Sequence, residues 1–237
     1  MDKERINLLK KLEKTLQYRF EDKSLLSTAL THRSFINENA SYSFSDNERL
    51  EFLGDAVLGL CVSDILVKKF SDLAEGQLSK LRSHLVNESF LAGLAIDFNI
   101  GDYLLLGHGE ERSGGRGKIS LLANCMEAVI GAIYMDSDFK KAHSFVKRII
   151  SPSLHSKSSL LQYMDYKTAL QEYCQDKYKT KPVYTIVRTQ GPEHAMTFEA
   201  RVNIPGFAVH KGQGKSKKEA EKNAAQNAWI ILHNETR

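Results

Sequence analysis

The stretch Asn47–Leu58 most constrains the fold, because its spacing predicts a helix with two chemically different faces. One face carries the acids Glu48, Glu51 and Asp55, and the opposite face carries Leu50, Leu53, Val57 and Leu60. Ser45 and Glu48 fit a capping box, which predicts that the helix begins there. Carboxylates this close repel each other, so their clustering indicates a hard cation between them, with a solvated acidic face as the alternative.

A second segment, Leu121–Tyr134, is strongly apolar and has one acid, Glu127, in its middle. A glutamate inside an apolar helix must be paired, protonated or bound to a metal. Asn124 lies one turn earlier on the same side of this helix. The two helices together offer four oxygen-bearing side chains, which suit Mg²⁺ or Mn²⁺. They are Glu51, Asp55, Asn124 and Glu127.

Residues 1–150 show helical apolar spacing without the alternation of strands, so this region is predicted to be all-helical. One helix is predicted over residues 24–36. It includes His32, which is interpreted as a packed or capping residue because no second ligand lies at i+3 or i+4. The Gly-rich segment 107–118 lacks the Lys-Ser/Thr ending of a P-loop and is interpreted as a flexible connector.

The pattern changes after a Ser-rich linker, residues 153–162. The predicted elements are a helix at Asp165–Tyr178, strands at Pro182–Thr189, Met196–Ile204 and Phe207–Lys211, and a final helix from Ser216, preceded by Gly212–Gly214. The predicted fold class is therefore an all-α domain, residues 1–152, followed by a small α+β domain with α-β-β-β-α order, residues 163–234.

The charge is distributed unevenly between these two regions. Residues 165–237 hold 12 Lys and Arg against 8 Asp and Glu, whereas residues 1–164 hold 21 of each. The whole net charge of +4 therefore lies in the second region, which favours an anionic partner for it.

Three features predict a cytoplasmic protein without a membrane partner. The segment Met1–Lys14 is charged and amphipathic and lacks the apolar core of a signal peptide. No apolar run reaches the length that spans a bilayer. Cys61, Cys125 and Cys174 have no CxxC spacing and lie among apolar residues, so buried, reduced thiols are predicted.

Nine consecutive residues, Asn47–Asp55 (Asn-Glu-Arg-Leu-Glu-Phe-Leu-Gly-Asp), resemble the signature of the ribonuclease III family. Thr31–Phe35 and Glu75–Arg82 resemble further segments of that family, and Lys215–Glu221 resembles part of a double-stranded-RNA-binding domain. The resemblance implies a homodimeric, Mg²⁺-dependent endoribonuclease that cuts both strands of duplex RNA. It implies ribosomal RNA precursors and other structured transcripts as substrates, and no organic cofactor.

The resemblance also implies roles for individual acids. Glu51, Asp55, Asn124 and Glu127 would bind the metal, with Asp55 and Glu127 as catalytic residues, and Glu48, Glu75 and Glu110 would be secondary acids. Asn124 departs from the family pattern, in which Asp is usual, and an amide keeps an oxygen ligand but loses a charge. The departure is expected to weaken the metal site. It leaves a catalytically weakened, structural RNA-binding factor as the alternative function.

In the second region, the resemblance implies that duplex RNA is bound by seven residues. Gln171, Glu172, Gln175 and His194 would reach minor grooves, and Lys215, Lys217 and Lys218 would bind phosphates. The residues themselves support the phosphate contacts. Ser216 and Glu219 fit a capping box, so Lys217 and Lys218 fall in the first turn of a helix, where the macrodipole disfavours cations and favours anions.

Overall fold

The computed structural model describes residues 1–39, 41–154, 166–190, 196–204 and 209–234. The chain divides into two compact units, Met1–Lys157 (unit 1) and Ser158–Arg237 (unit 2). Residues 153 and 154 belong to the last helix of unit 1, and the rest of the predicted linker lies outside the described residues. The linker therefore stays a prediction.

Unit 1 is built from helices. They are α1 (Lys3–Leu16), α2 (Lys23–Ala29), α3 (Arg33–Glu38), α4 (Glu48–Lys69), α5 (Glu75–Leu85), α6 (Glu88–Asp97), α7 (His108–Arg112), α8 (Ile119–Asp136) and α9 (Phe139–Leu154), with 3-10 turns at Ile100–Tyr103 and Gly115–Gly117. Extended backbone in the described part of unit 1 pairs at one isolated bridge, between Thr31 and Leu105. The prediction of an all-helical first domain is confirmed.

Helix α8 lies in the core of unit 1, where it contacts α2, α4, α6 and α9. By length and composition α8 could cross a bilayer, contrary to the expectation that no segment could. However, 56% of the helix is buried inside unit 1, as expected for the core helix of a globular unit. The three cysteines are also buried as free thiols, as predicted.

Helices α4 and α8 cross where two glycines face the backbone of the other helix. A Cβ atom added to Gly54 would lie 1.8 Å from the carbonyl oxygen of Glu127, and one added to Gly131 would lie 2.3 Å from that of Leu50. No side chain fits in either position, so the two helices approach each other at backbone distance. Because Glu51 and Asp55 flank Gly54 on α4, this crossing brings the acids of α4 next to Glu127.

Three local predictions for unit 1 are wrong. Residues 24–36 form two helices, because Leu30 and His32 leave the helix to pair through their backbones with Leu105, at 2.8 and 3.0 Å. The segment 107–118 contains α7 and a 3-10 turn and is not a simple connector. Leu60 is 58% exposed, because the buried face of α4 follows Leu50, Val57 and Cys61 and leaves residue 60 at its edge.

The prediction for His32 is confirmed, because this residue caps α3. Its Nδ1 atom accepts a hydrogen bond from the backbone N–H of Ser34 at 3.3 Å.

Unit 2 has the predicted α-β-β-β-α order. Its elements are α10 (Tyr166–Tyr178), β1 (Val183–Gln190), β2 (Thr197–Asn203), β3 (His210–Gly214) and α11 (Lys217–Asn234), and the antiparallel sheet has the order β1-β2-β3. Both α10 and α11 pack with apolar residues inward, including Leu170, Ala224 and Ala228. The predicted fold class is confirmed.

The third strand differs from its prediction, because it begins at His210 and includes the glycines expected to follow it. The predicted start, Phe207, lies outside the described residues. A Cβ atom on Gly212 would lie 2.0 Å from the backbone nitrogen of Ala224, and one on Gly214 would lie 2.6 Å from that of Ala220. These glycines are strand residues that allow α11 to pack directly on the backbone of β3.

Candidate active site and nucleic-acid interface

The acidic helix α4 begins at a buried residue and not at the predicted capping box. Asn47 is the N-cap residue, and its side chain donates to the carbonyl oxygen of Ala29 at 3.4 Å. The backbone N–H of Glu48 donates a hydrogen bond to the carboxylate of Asp46 at 3.2 Å. The backbone N–H of Asn47 also donates to the carbonyl oxygen of Thr31, at 2.9 Å. The prediction of a Ser45–Glu48 box is wrong, because burial of Asn47 against α2 determines where the helix starts.

One open cavity of about 470 Å³ brings together residues of α4 and α8. Its lining residues are Glu48, Glu51, Phe52, Asp55, Asn124 and Glu127. All four side chains predicted to hold a metal therefore face the same cavity, although they come from segments about 70 residues apart in the chain. Phe52 is 82% exposed at this cavity and is the most exposed large apolar side chain among the described residues.

The acids of the cavity perturb one another. Burial, followed by the charges of Asp55 and Glu51, raises the pKa of Glu127 to about 7. Burial and the charge of Glu48 raise the pKa of Glu51, while a hydrogen bond from the side chain of Asn124 opposes that rise. Asn124 and the Glu51 carboxylate therefore lie near each other in the cavity. A cation bound here would offset both the burial and the mutual repulsion that raise these pKa values.

The donor set of the cavity fits a hard divalent cation, because every polar lining residue offers oxygen and none offers sulfur or imidazole nitrogen. Within the described residues, no three His, Cys, Asp or Glu side chains are already close enough to hold an ion together.

The secondary acids have different surroundings. Glu48 lines the cavity and forms an exposed ion pair with Arg33, at 2.9 Å. Glu75 begins α5 and accepts a hydrogen bond from Ser79 at 2.8 Å. Glu110 forms an ion pair with Lys118. Neither Glu75 nor Glu110 is among the described residues that line the cavity, so the structure brings only Glu48 to it.

In unit 2, the predicted minor-groove residues lie on the exposed side of α10. Gln171, Glu172 and Gln175 line a shallow cavity of about 410 Å³, together with Asp176 and Lys179. His194 lies outside the described residues. Three of the four predicted residues therefore share one solvent-facing surface.

The predicted phosphate-binding lysines lie at the start of α11. Lys215, Lys217 and Lys218 are all exposed, and the latter two occupy the first turn of the helix. The capping differs in part from its prediction. Ser216 Oγ accepts from the N–H of Glu219 at 3.1 Å, but the Glu219 carboxylate accepts from the N–H of Lys215 at 2.7 Å and not from that of Ser216. This hydrogen bond holds the backbone of Lys215 against the helix end.

Comparison with known proteins agrees with this geometry. A family model described as Ribonuclease-III-like matches residues 22–154, and a model of the double-stranded RNA binding motif matches residues 166–232. A ribonuclease 3 from Syntrophobacter fumaroxidans is 46% identical over 228 residues, which cover 94% of each chain. The chain belongs to the ribonuclease III family.

Other members of the ribonuclease III family are similarly related. A ribonuclease 3 from Treponema denticola is 45% identical over 228 residues, covering 96% of this chain and 92% of its own. A crystal structure of the ribonuclease III nuclease domain from Campylobacter jejuni has a TM-score of 0.57 and 46% identity, and covers 62% of this chain and 96% of its own.

The sequence signals missed two features of this ribonuclease III site. The first is the contact of Gly54 and Gly131, which determines how closely the two acid-bearing helices approach. The sequence shows that each helix contains a glycine, but no local sequence signal indicates that these two glycines face each other. The second is the pairing of Arg33 with Glu48 and of Lys118 with Glu110, which requires knowing which segments are neighbours in space.

Proposed function

We propose that this member of the ribonuclease III family is an endoribonuclease that hydrolyses double-stranded RNA. The observation that carries the proposal is the shared acidic cavity of α4 and α8, in a chain whose second unit matches a double-stranded RNA binding motif. The relatives named ribonuclease 3, aligned over nearly the full chain, support this reaction class. Ribosomal RNA precursors and other structured transcripts are the proposed substrates.

In this proposal Glu51, Asp55, Asn124 and Glu127 hold Mg²⁺ or Mn²⁺. The cation, when bound, supplies charge stabilisation for the attack of water on a phosphodiester. The chain itself keeps the donors in place. The glycine contact sets the position of Glu127 beside α4, and the Asn124 amide lies beside the Glu51 carboxylate in the cavity. Asp55 and Glu127 are the proposed catalytic residues, since their charges interact across the cavity.

Unit 2 is proposed to hold the duplex by its shape. A-form RNA presents a shallow minor groove and regularly spaced phosphates, which proteins contact largely without reading sequence. The exposed polar surface of α10, with Gln171, Glu172 and Gln175, suits the groove. Lys215, Lys217 and Lys218 suit the phosphates, because they combine positive charge with the N-terminal end of α11.

A homodimer is proposed because one cavity per chain would serve one strand of the duplex. Phe52, exposed at the edge of the cavity, is the proposed contact with the second copy, since a large exposed aromatic residue is typical of an interaction surface. A second Campylobacter jejuni structure supports this proposal. It is 48% identical, with a TM-score of 0.56, covers 60% of this chain and 95% of its own, and is named for flexibility in a region involved in dimer formation of the nuclease domain.

The test is incubation of the full chain with a long RNA duplex, with and without Mg²⁺, beside a DNA duplex of the same sequence. We expect cleavage of the RNA only with Mg²⁺, and intact DNA. An RNA duplex that is bound in a gel shift but stays intact at every Mg²⁺ concentration would support the structural RNA-binding factor instead. RNA that is neither bound nor cut would contradict both functions.

A further inference from the structure

The segment 107–118, here called the connecting segment, is attached at its start to α3. The backbone N–H of Gly107 donates to Ser34 Oγ at 2.9 Å, and that of His108 donates to Glu38 Oε2 at 2.8 Å. A Cβ atom on Gly107 would lie 2.6 Å from the carbonyl oxygen of Ser34, so glycine is required for this close approach. The first turn of α7 therefore has a defined position on unit 1.

Glu110, in the middle of the connecting segment, contacts the residue at the end of that segment. Its carboxylate forms a close ion pair with Lys118 and accepts a hydrogen bond from Ser113 Oγ at 3.3 Å. Lys118 Nζ also donates to Ser113 Oγ at 2.9 Å. The hydrogen bond from Lys118 lowers the pKa of Glu110, which keeps this carboxylate ionised. A Cβ atom on Gly115 would lie 2.8 Å from the carbonyl oxygen of Glu110, so the loop closes tightly over the pair.

Lys118 is the N-cap residue of α8, and no side chain caps this helix end. The backbone carbonyl of Lys118 accepts the first hydrogen bond of the helix, from Leu122 at 3.0 Å. Asn124 and Glu127 follow within the next turns of the same helix. Arg116 secures the same region by donating to the carbonyl oxygens of Gly101 and Leu104, at 2.8 and 3.0 Å. A contact that fixes Lys118 therefore fixes the end of α8 from which both cavity residues extend.

We propose that Glu110 is a positioning residue that acts through Lys118. The ion pair holds the start of α8, and thereby sets where Asn124 and Glu127 stand relative to the acids of α4. Glu110 itself does not touch the substrate or the cation, in agreement with its absence from the described lining of the cavity. This inference rests on the proposed nuclease function, because the consequence of misplacing α8 is read in the cleavage reaction.

The test compares Glu110→Gln, Lys118→Met and the double variant in the full chain. We expect each single change to lower kcat by about 10- to 100-fold, because small misplacements of reacting groups have effects of that size. The double variant should lose no more than either single variant, since both changes break one contact. KM for the duplex should stay within about twofold, because unit 2 is unchanged. The Mg²⁺-induced rise in Tm, measured without RNA, should be smaller in all three.

Charge exchange separates positioning from simple loss of structure. The variant with Glu110→Lys and Lys118→Glu keeps an ion pair of reversed polarity, and we expect it to recover most of the lost kcat. The matched control is Lys68→Met, which breaks an exposed ion pair with Asp64 of 2.8 Å on α4, remote in sequence from the connecting segment. It should leave kcat and the Mg²⁺-induced rise in Tm unchanged.

Two outcomes would overturn the proposal. If Glu110→Gln inactivates the enzyme while Lys118→Met does not, Glu110 acts directly and not through Lys118. If none of the variants changes kcat or the Mg²⁺-induced rise in Tm, the pair has no positioning role. Failure of the proposed function would give a different result, because the wild-type chain would then leave the RNA duplex uncut. The Mg²⁺-induced rise in Tm would still show whether the variants differ from the wild-type chain.

Discussion

The two units place opposite charges at the start of a long helix. In unit 1, the first turn of α4 holds Glu48 and Glu51. In unit 2, α11 begins with Lys217 and Lys218, followed by the single acid Glu219. The N-terminal end of a helix stabilises anions and destabilises cations, so the same position favours the acids and opposes the lysines. The lysines alone therefore indicate function by their charge. For the acids of α4 the helix end gives no such signal, and function is indicated by their clustering with Asp55 on one face and by their proximity to Glu127.

The two units also share a packing feature, because in each one glycines allow a helix to pack directly against the backbone of a neighbouring element. In unit 1 the contact joins two helices through Gly54 and Gly131, and in unit 2 it joins β3 to α11 through Gly212 and Gly214. In both cases the contact lies beside the residues proposed to act on RNA. The comparison predicts that unit 1 is sensitive to changes at its cavity and crossing, and unit 2 to changes of surface charge.

The largest effect is expected for Glu127→Gln. The change keeps the shape of the side chain but removes the carboxylate that interacts with Asp55 and Glu51. We expect cleavage to fall by about 10³-fold or more, the effect of losing one strong electrostatic contribution, and duplex binding to stay unchanged. Single-turnover cleavage and a gel shift on the same sample measure both. Near wild-type cleavage would remove Glu127 from the catalytic site.

The next largest effect is expected for Gly54→Ala. The new methyl group would collide with the backbone of Glu127, so we expect a loss of about 3 kcal/mol in the free energy of unfolding of unit 1. The control is Gly59→Ala on the same helix, where a Cβ atom meets nothing within 4 Å. It should gain up to about 1 kcal/mol from helix propensity. Denaturant unfolding followed by circular dichroism measures both, and equal stabilities would contradict the close crossing.

An intermediate effect is expected for the double change Lys217→Ala and Lys218→Ala. Loss of two phosphate contacts should weaken duplex binding and reduce the slope of log affinity against log salt by about 1.5 to 2. The Tm of unit 2 should rise by about 2–5 °C, because two cations leave the first turn of α11. Lys10→Ala, an exposed lysine of α1, is the control. An unchanged salt slope would place both lysines outside the RNA surface.

The smallest effect is expected for Asn124→Asp. The added carboxylate attracts a cation but repels Glu51 and Glu127 when no cation is bound. We therefore expect a Mg²⁺ concentration for half-maximal cleavage that is lower by a few-fold, together with a larger Mg²⁺-induced rise in Tm. Asn124→Ala should shift the concentration in the opposite direction. Identical Mg²⁺ titrations of all three proteins would show that residue 124 does not contact the cation.

The sequence by itself determined the features that depend on local spacing. Helical periodicity over residues 1–150 and alternation after Pro182 were enough to predict the class of each unit, because a buried face repeats every few residues in the chain. The position of Glu127 inside an apolar helix marked it without any knowledge of its neighbours. The charges of Lys217 and Lys218 at a helix start were likewise readable from their place in the chain.

Only the tertiary structure decided the features that join distant segments. Pairing with Leu105 divides residues 24–36 into two helices, and burial of Asn47 replaces the Ser45 cap. The same holds for Gly54 against Gly131 and for Glu110 against Lys118. Each of these contacts depends on which backbones approach each other, and that is determined by packing of the whole unit. Local propensity cannot specify it, because a glycine or an acid has the same local preferences whatever segment lies opposite.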